Sequence, residues 1–304
     1  MSVIESFGLG VSYGTTSAVR DCTLNVPTGR VVALVGSNGA GKTTLLHCLV
    51  GLCKPTVGEI TVLDGTVPGS NQARERIAFV AQDALLYRHL SVRSVLTVAG
   101  NLNSRFEVEE AKARLSTLNI RLDHKVGKLS GGQQAQLALT LALARHPELL
   151  VLDEPLARLD PVARDDIMSL IMSSVAEGEL SVVFSSHVVS ELERVADYLI
   201  LLADGRVQMA DEIDRLLAEH MVITVPTDHV DDVVERFPVI AMQRSPRRTQ
   251  FLVRADGSTE LPSGWERHEA SLDELVLAYL RDPSATALSG PLAIASIENS
   301  KLTR

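Results

Sequence analysis

The sequence predicts an α/β fold with a helical insertion and a small α+β appendage, on three observations. Continuously apolar runs such as Val31–Val35 and Leu149–Leu152 alternate with helical stretches, as strands buried on both faces of a sheet do. A glycine-rich loop, Gly36 to Thr43, stands between one such strand and an apolar helix. After Arg206 the texture changes to shorter, mixed helix and strand patterns.

In chain order, residues 1–35 read as short strand runs broken by turns, with Val19–Val26 and Val31–Val35 on either side of Pro27-Thr28-Gly29. The helix Lys42–Val50 follows the glycine loop, then strands at Glu59–Leu63 and Ile77–Ala81. Residues 91–146 read as mainly helical, including Val108–Leu118 and Gly132–Arg145. Leu149–Leu152, Ser181–Ser185 and Tyr198–Leu202 are further buried strands, separated by helices at Pro161–Ala176 and Val188–Val195. Beyond them come a helix at Asp211–His220, a strand at Met221–Val225, a helix at Asp228–Phe237 and a strand at Gln250–Val253. A last helix spans Ser271–Tyr279, with Ser271 as its N-cap candidate. The expected division is a main domain over 1–214, with a helical subdomain at about 83–146, then the appendage 215–282. The Ser/Ala/Pro-tinged 283–304 reads as a flexible tail.

With 304 residues, 45% hydrophobic and 22% charged, the chain has enough apolar matter for a full core and is not a disordered or collagen-like sequence. Net charge is −9, and neither side of residue 214/215 is basic. Aromatics for base stacking are scarce at 4%, so no nucleic-acid partner is expected. Three cysteines, Cys22, Cys48 and Cys53, are odd in number and lack metal-ligand spacing, which argues against a disulfide framework; a reducing cytoplasm fits. No leader pattern opens the sequence, and the best apolar run, Leu137 to Ala144, falls short of the ~20 residues a membrane helix needs.

The chemistry is concentrated in a few motifs. Gly36-Ser37-Asn38-Gly39-Ala40-Gly41-Lys42-Thr43 is an intact GxxxxGK[ST] between a buried strand and a helix. Its glycines let successive N–H groups face phosphate oxygens, the helix N-terminus adds a favourable dipole, Lys42 reaches the terminal phosphates and the Thr43 hydroxyl can ligate Mg2+. About 110 residues later, four apolar strand residues end in Asp153-Glu154. Asp153 suits Mg2+, an ion that prefers oxygen ligands, and Glu154 suits the orientation or deprotonation of an attacking water. Between them, Leu129-Ser130-Gly131-Gly132-Gln133 opens a long helix with free N–H groups and a hydroxyl, a second anion-binding device.

Together these motifs resemble the ATP-binding subunits of ABC transporters, in order through roughly residues 3–210. Gly36–Thr44 resembles the Walker A loop, Gln82 the Q-loop, Leu129–Gln133 the signature, Leu149–Glu154 Walker B with its glutamate, Leu159-Asp160 the D-loop, and His187 the switch histidine. Tyr13 stands where the family places an aromatic against adenine. The resemblance implies a P-loop NTPase fold of ABC type, with ATP and Mg2+ as cofactors. It implies nucleotide contacts from Tyr13, Gly36, Ser37, Asn38, Gly39, Ala40, Gly41, Lys42, Thr43 and Thr44, and from Gln82, Ser130, Gly131, Gly132 and Gln133. Thr43, Gln82 and Asp153 would hold the metal, and Lys42, Glu154 and His187 would act in catalysis. The sequence departs from the family at Ser37, where proline is commonest, at Gln134-Ala135-Gln136, where arginines are frequent, and at Arg158, where a small residue is usual.

One Walker A and one signature per chain imply a head-to-tail dimer with ATP sandwiched between protomers. A separate membrane permease is implied as partner, with this chain peripheral on the inner face of the cell membrane. Gly51-Leu52, Pro55–Ile60, the stretch from Ser186-His187 through Glu191-Leu192-Glu193 to Ala196-Asp197, and the closing Leu272–Leu280 look most like bacterial ABC-2 exporters of drugs or antibiotics. An uptake ATPase and a non-transport ABC ATPase acting on ribosomes or DNA are the alternatives.

Overall fold

In the computed structural model, residues 1–82, 86–157, 159–176, 180–187, 189, 192–255 and 259–282 are described. The chain opens with two long antiparallel strands, β1 (Ser2–Tyr13) and β2 (Thr16–Pro27), joined through Gly14-Thr15. The sequence reads as shorter runs here because register shifts near Ser6–Leu9 and Leu9–Val11 break the apolar alternation that marks a regular strand. β3 (Val31–Val35) is wholly buried and leads through the glycine loop into α1 (Lys42–Leu49). β4 (Val57–Val62) returns to pair with β1, giving a three-stranded antiparallel sheet β2-β1-β4. α2 (Asn71–Arg76), capped by the Ser70 hydroxyl, then delivers β5 (Ile77–Val80).

The helical insertion consists of α3 (Val92–Leu102), α4 (Val108–Thr117) and α5 (Gly131–Leu143). Val92, Leu96, Leu115 and Leu137 form a small core of their own beneath it. β6 (Leu149–Leu152), α6 (Pro161–Ala176), β7 (Ser181–Ser186), β8 (Tyr198–Ala203) and β9 (Arg206–Glu212) complete the main domain. Its sheet runs β5-β6-β7-β3-β8-β9, parallel except for β9. Alternate residues of the central strands serve two cores. Val31, Ala33, Leu150, Val182 and Phe184 face one, while Val32, Leu34, Leu149, Val151 and Val183 face the other. Two covered faces explain why these strands are apolar at every position.

Two expected elements change. Asp211 and Glu212 do not begin a helix: they end β9, paired with Leu199 and Tyr198, so α7 spans only Ile213–Ala218 and His220 starts the next strand. The expected helix Val188–Val195 is not an α-helix in its described part. Leu192 N–H donates to the Val189 carbonyl and Val195 N–H to the Leu192 carbonyl, the three-residue spacing of tight turns. Residues 188, 190 and 191, with Glu191 of the exporter-like stretch, lie outside the described residues, as does the expected tail 283–304.

The appendage adds β10 (His220–Pro226), α8 (Val230–Arg236), β11 (Val239–Arg244), β12 (Arg248–Arg254), β13 (Glu266–Glu269) and α9 (Leu272–Arg281). Its strands form an antiparallel sheet β11-β12-β10-β13. β13 is exposed at all four positions and carries no apolar residue, which leaves pattern reading nothing to find. α9 starts at the Ser271 cap with Glu274 completing a capping box, as the sequence predicts for Ser271. Leu272, Leu275, Val276 and Tyr279 of α9 share one core cluster with Leu150, Ile171 and Phe184, and the 214/215 division falls inside α7.

Candidate active site

Parallel register brings the C-terminal ends of β3, β6 and β7 side by side, with Val35 opposite Ser186 and Leu152 opposite Phe184. The glycine loop, the Asp153-Glu154 pair and His187 therefore leave the sheet at one edge, where open α/β sheets bind ligands. Within the loop, a Cβ at Gly36 would lie 2.3 Å from the Leu202 carbonyl oxygen, and one at Gly41 (φ +103°) 2.3 Å from that of Ala18. No larger residue fits either position. The loop wraps the Lys42 ammonium, whose Nζ donates to the carbonyls of Gly36 (2.8 Å) and Ser37 (3.2 Å). Lys42 is 6% exposed, and burial lowers its pKa from the usual lysine value, while the carboxylates of Glu154, 3.8 Å from Nζ, and Asp153 oppose the shift.

The two carboxylates are held differently. Asp153 is buried, and its Oδ1 accepts from the Ser185 hydroxyl at 2.7 Å. Glu154 has a left-handed backbone (φ +45°), a conformation that costs a non-glycine residue roughly 1–2 kcal/mol. Its N–H donates to the same Ser185 Oγ at 2.8 Å. The Glu154 side chain points into the cleft. Oε1 faces Lys42, while Oε2 accepts from Gln82 Nε2 (3.3 Å) and lies 3.5 Å from Nδ1 of the half-exposed His187.

These groups line a cleft of about 430 Å3. Asn38, Gly39, Gly41, Lys42, Thr43 and Thr44 come to it from the loop and α1, and Gln82, Glu154 and His187 from the strand ends. Gly36 and Ser37 support it through the carbonyls that hold Lys42, and Ala40 N–H closes the loop on the Ser37 carbonyl at 3.1 Å. Asp153 sits behind the cleft and does not line it. Tyr13 is also outside its lining. The ring is largely exposed and its hydroxyl lies 3.5 Å from Cys53 Sγ, a contact that raises the phenol pKa. Ser130, Gly131, Gly132 and Gln133 are not brought to this cleft. They open α5, where Ser130 Oγ accepts from Gln133 N–H (3.2 Å) and Gln133 Oε1 from Ser130 N–H (3.1 Å). Asp160 caps α6, accepting from the N–H groups of Val162 and Ala163 at 3.0 Å. Arg158 and residues 83–85 beyond Gln82 lie outside the described residues.

The donors expected for Mg2+, the Thr43 hydroxyl, the Gln82 amide oxygen and the Asp153 carboxylate, are all hard oxygens, the ligand class this ion takes. Among the described residues no group of three His, Cys, Asp or Glu side chains could hold a metal. Sequence reasoning missed Ser185, the residue that ties Asp153 to Glu154. The available signal was a polar side chain directly after the buried run Val182-Val183-Phe184, two positions before His187.

Known proteins share both sequence and fold with this chain. A model of the ABC transporter family matches residues 19–157. The Nod factor export ATP-binding protein I of Rhizobium johnstonii is 36% identical over 209 residues, covering 67% of this chain and 67% of that protein. The molybdenum import ATP-binding protein ModC of Aromatoleum aromaticum is 36% identical over 222 residues, covering 70% of this chain but only 58% of that protein. A solved ATP-binding subunit of an ABC transporter superposes with a TM-score of 0.64 at 27% identity, over 71% of this chain and 92% of that one. A dimeric bacterial ABC transporter cassette does so with a TM-score of 0.61 at 26% identity, over 69% and 98%. The chain belongs to the ABC transporter family, as an ATP-binding subunit with the ATPase activity of such cassettes.

Proposed function

We propose that the chain hydrolyses ATP in the cleft around Lys42 and Glu154 and couples that hydrolysis to export of a drug-like or antibiotic-like small molecule through a separate membrane permease. The observation that carries the hydrolytic part is the convergence of Lys42, Gln82, Glu154 and His187 on one cleft at the strand ends. In this reading Lys42 exchanges the Gly36 and Ser37 carbonyls for the terminal phosphates, and the loop N–H groups of Asn38 to Thr44 cradle them. Thr43, Gln82 and Asp153 would hold Mg2+, which neutralises phosphate charge when bound. Glu154 accepts the proton of the attacking water, Gln82 Nε2 donates to its carboxylate, and His187 donates its one N–H to the γ-phosphate. The bridging oxygen leaves with the ADP.

Ser130 to Gln133 lie outside their own chain's cleft, which supports their use in trans: the N–H groups at the start of α5 in one protomer close on the nucleotide held by the other. Tyr13 packs against adenine in this reading. Residues 1–214 act as the ATPase and 215–282 as an appendage whose closing helix packs into the main core, with the chain docked on the cytoplasmic face of the permease. Export is supported by the likeness to the Nod factor export protein and by the closing helix α9, which the exporter resemblance anticipates. Uptake is the second reading, favoured by equal identity to the molybdenum import protein.

The test is to purify the tagged chain from detergent-solubilised membranes, identify the polytopic protein that accompanies it, and express the two together in a drug-sensitive host. Export predicts raised tolerance to at least one member of an antibiotic panel, lost in Glu154→Gln. Unchanged tolerance, with molybdate- or sulfate-limited growth that depends on Glu154, would establish uptake instead. Recovery with ribosomes or DNA and with no membrane protein would overturn both.

A further inference from the structure

We propose that Ser185 is a positioning residue of the ATPase site, holding the metal-side carboxylate Asp153 and the backbone of Glu154 in working register through one hydroxyl. The proposal rests on the reading of Asp153 and Glu154 given above. β6 and β7 run parallel with Leu152 opposite Phe184, so the next residue of each strand, Asp153 and Ser185, emerges beside the other. Ser185 is fully buried, and its hydroxyl is used in both directions. It donates to Asp153 Oδ1 at 2.7 Å and accepts from the Glu154 N–H at 2.8 Å. A hydroxyl is the smallest group that can do both, since it carries one proton and two lone pairs.

The geometry makes this a coupling of two residues rather than one more buried hydrogen bond. Donation to Oδ1 fixes the orientation of the buried Asp153 carboxylate at the end of β6. Acceptance from the Glu154 N–H satisfies the peptide at the point where the backbone turns left-handed (φ +45°), the turn that swings the Glu154 side chain toward Lys42, Gln82 and His187. The Asp153 N–H is tied separately to the Val80 carbonyl at 2.9 Å, so the pair is clamped from β5 on one side and β7 on the other. Partners that orient a ligating carboxylate contribute heavily to metal affinity and activity, and Ser185 stands in that relation to Asp153.

The experiment compares wild type with Ser185→Ala, the near-isosteric Ser185→Cys and the hydroxyl-retaining Ser185→Thr. Steady-state phosphate release is measured together with equilibrium binding of ATPγS in EDTA and in Mg2+. Ser185→Ala and Ser185→Cys are expected to lose roughly tenfold in kcat and roughly tenfold of the affinity that Mg2+ adds, with binding in EDTA unchanged and Ser185→Thr close to wild type. Because Ser185→Cys preserves the packing, a failure of Ser185→Ala to fold leaves the comparison intact. Unchanged kcat and unchanged Mg2+ dependence in both variants would overturn the proposal. So would equal losses of binding in EDTA and in Mg2+, which mark a general structural effect. Glu154→Gln, run alongside, separates the two levels: if it hydrolyses at the wild-type rate, the reading of the site itself is wrong, whatever Ser185 does.

Discussion

The strand ends of the parallel sheet and the appended antiparallel sheet treat buried polar groups in opposite ways. At the strand ends, Lys42, Asp153 and Ser185 are buried beside one another and linked, through Glu154, into a chain that opens on a cleft. In the appendage the buried polar contact is a closed one. His220 donates from Nδ1 to the Leu216 carbonyl at 2.6 Å and accepts at Nε2 from the Tyr279 hydroxyl at 3.1 Å, and both residues are hidden in the packing of β10 against α9. Its ion pairs, such as Arg248–Glu266 at 2.6 Å, lie on the surface, where such pairs contribute little. Thr249 Oγ1 is buried there with no hydrogen-bond partner. The first arrangement holds charge ready for something that arrives; the second holds two elements together. We infer catalysis for one and a packing role for the other.

Several variants break or sharpen that contrast. The largest effect is expected for Glu154→Gln, which should keep ATP binding and lose about 10²–10⁴-fold in hydrolysis, the range a general base supplies, read by phosphate release. Next comes Leu275→Ala in α9, a fully buried side chain whose truncation should cost about 2–5 kcal/mol in denaturant unfolding. Because α9 shares its core with Leu150 and Phe184, the whole main domain should destabilise with it; separate transitions for the two parts would argue for an independent appendage. Lys42→Ala removes a charged donor to phosphate, and nucleotide affinity should fall about 10–100-fold by titration. Tyr279→Phe leaves His220 Nε2 unpaired and should cost about 1–3 kcal/mol of stability with kcat unchanged.

The smallest effect is a pH dependence in the appendage. Burial lowers the pKa of His220 from the ordinary value of 6.5. Below that value the unfolded chain takes up the proton first, so stability is complete above about 6.5 and is lost as the pH falls through the folded-state value. Thermal unfolding across pH 5 to 8 should show this loss in wild type and a reduced one in His220→Gln. A loss on the alkaline side instead would mean that His220 is stabilised in its charged form.

Legibility followed the same divide. Strands covered on both faces, such as Leu149–Leu152, announce themselves as unbroken apolar runs, and the residues that turn at their ends are constrained in type. Lys42 and Glu154 could be named from their own motifs, Gln82 and His187 only through the family resemblance those motifs carry, and the fold brings the four to one cleft. What spacing does not carry is the cross-strand partner. Ser185 belongs to the site because β7 lies beside β6 in a particular register, and that register is a tertiary fact. β9 escapes local pattern reading because Asp211 and Glu212 look like the start of a helix; pairing with β8 overrides that local preference. In the appendage, β13 has one neighbour and no buried residue, so its strand character rests wholly on hydrogen bonds to β10. Tyr13 is outside the cleft lining itself, with its hydroxyl between Cys53 and Thr44, the latter a lining residue.

The most direct test measures ATP binding and phosphate release on matched samples of Glu154→Gln and Tyr279→Phe at a temperature where both are folded. Glu154→Gln should bind ATP like wild type and release almost no phosphate, while Tyr279→Phe should turn over at the wild-type rate with a lowered melting temperature. Wild-type turnover in Glu154→Gln, or a catalytic loss in Tyr279→Phe as deep as that expected for Glu154→Gln, would contradict the division between a catalytic cleft and a structural appendage.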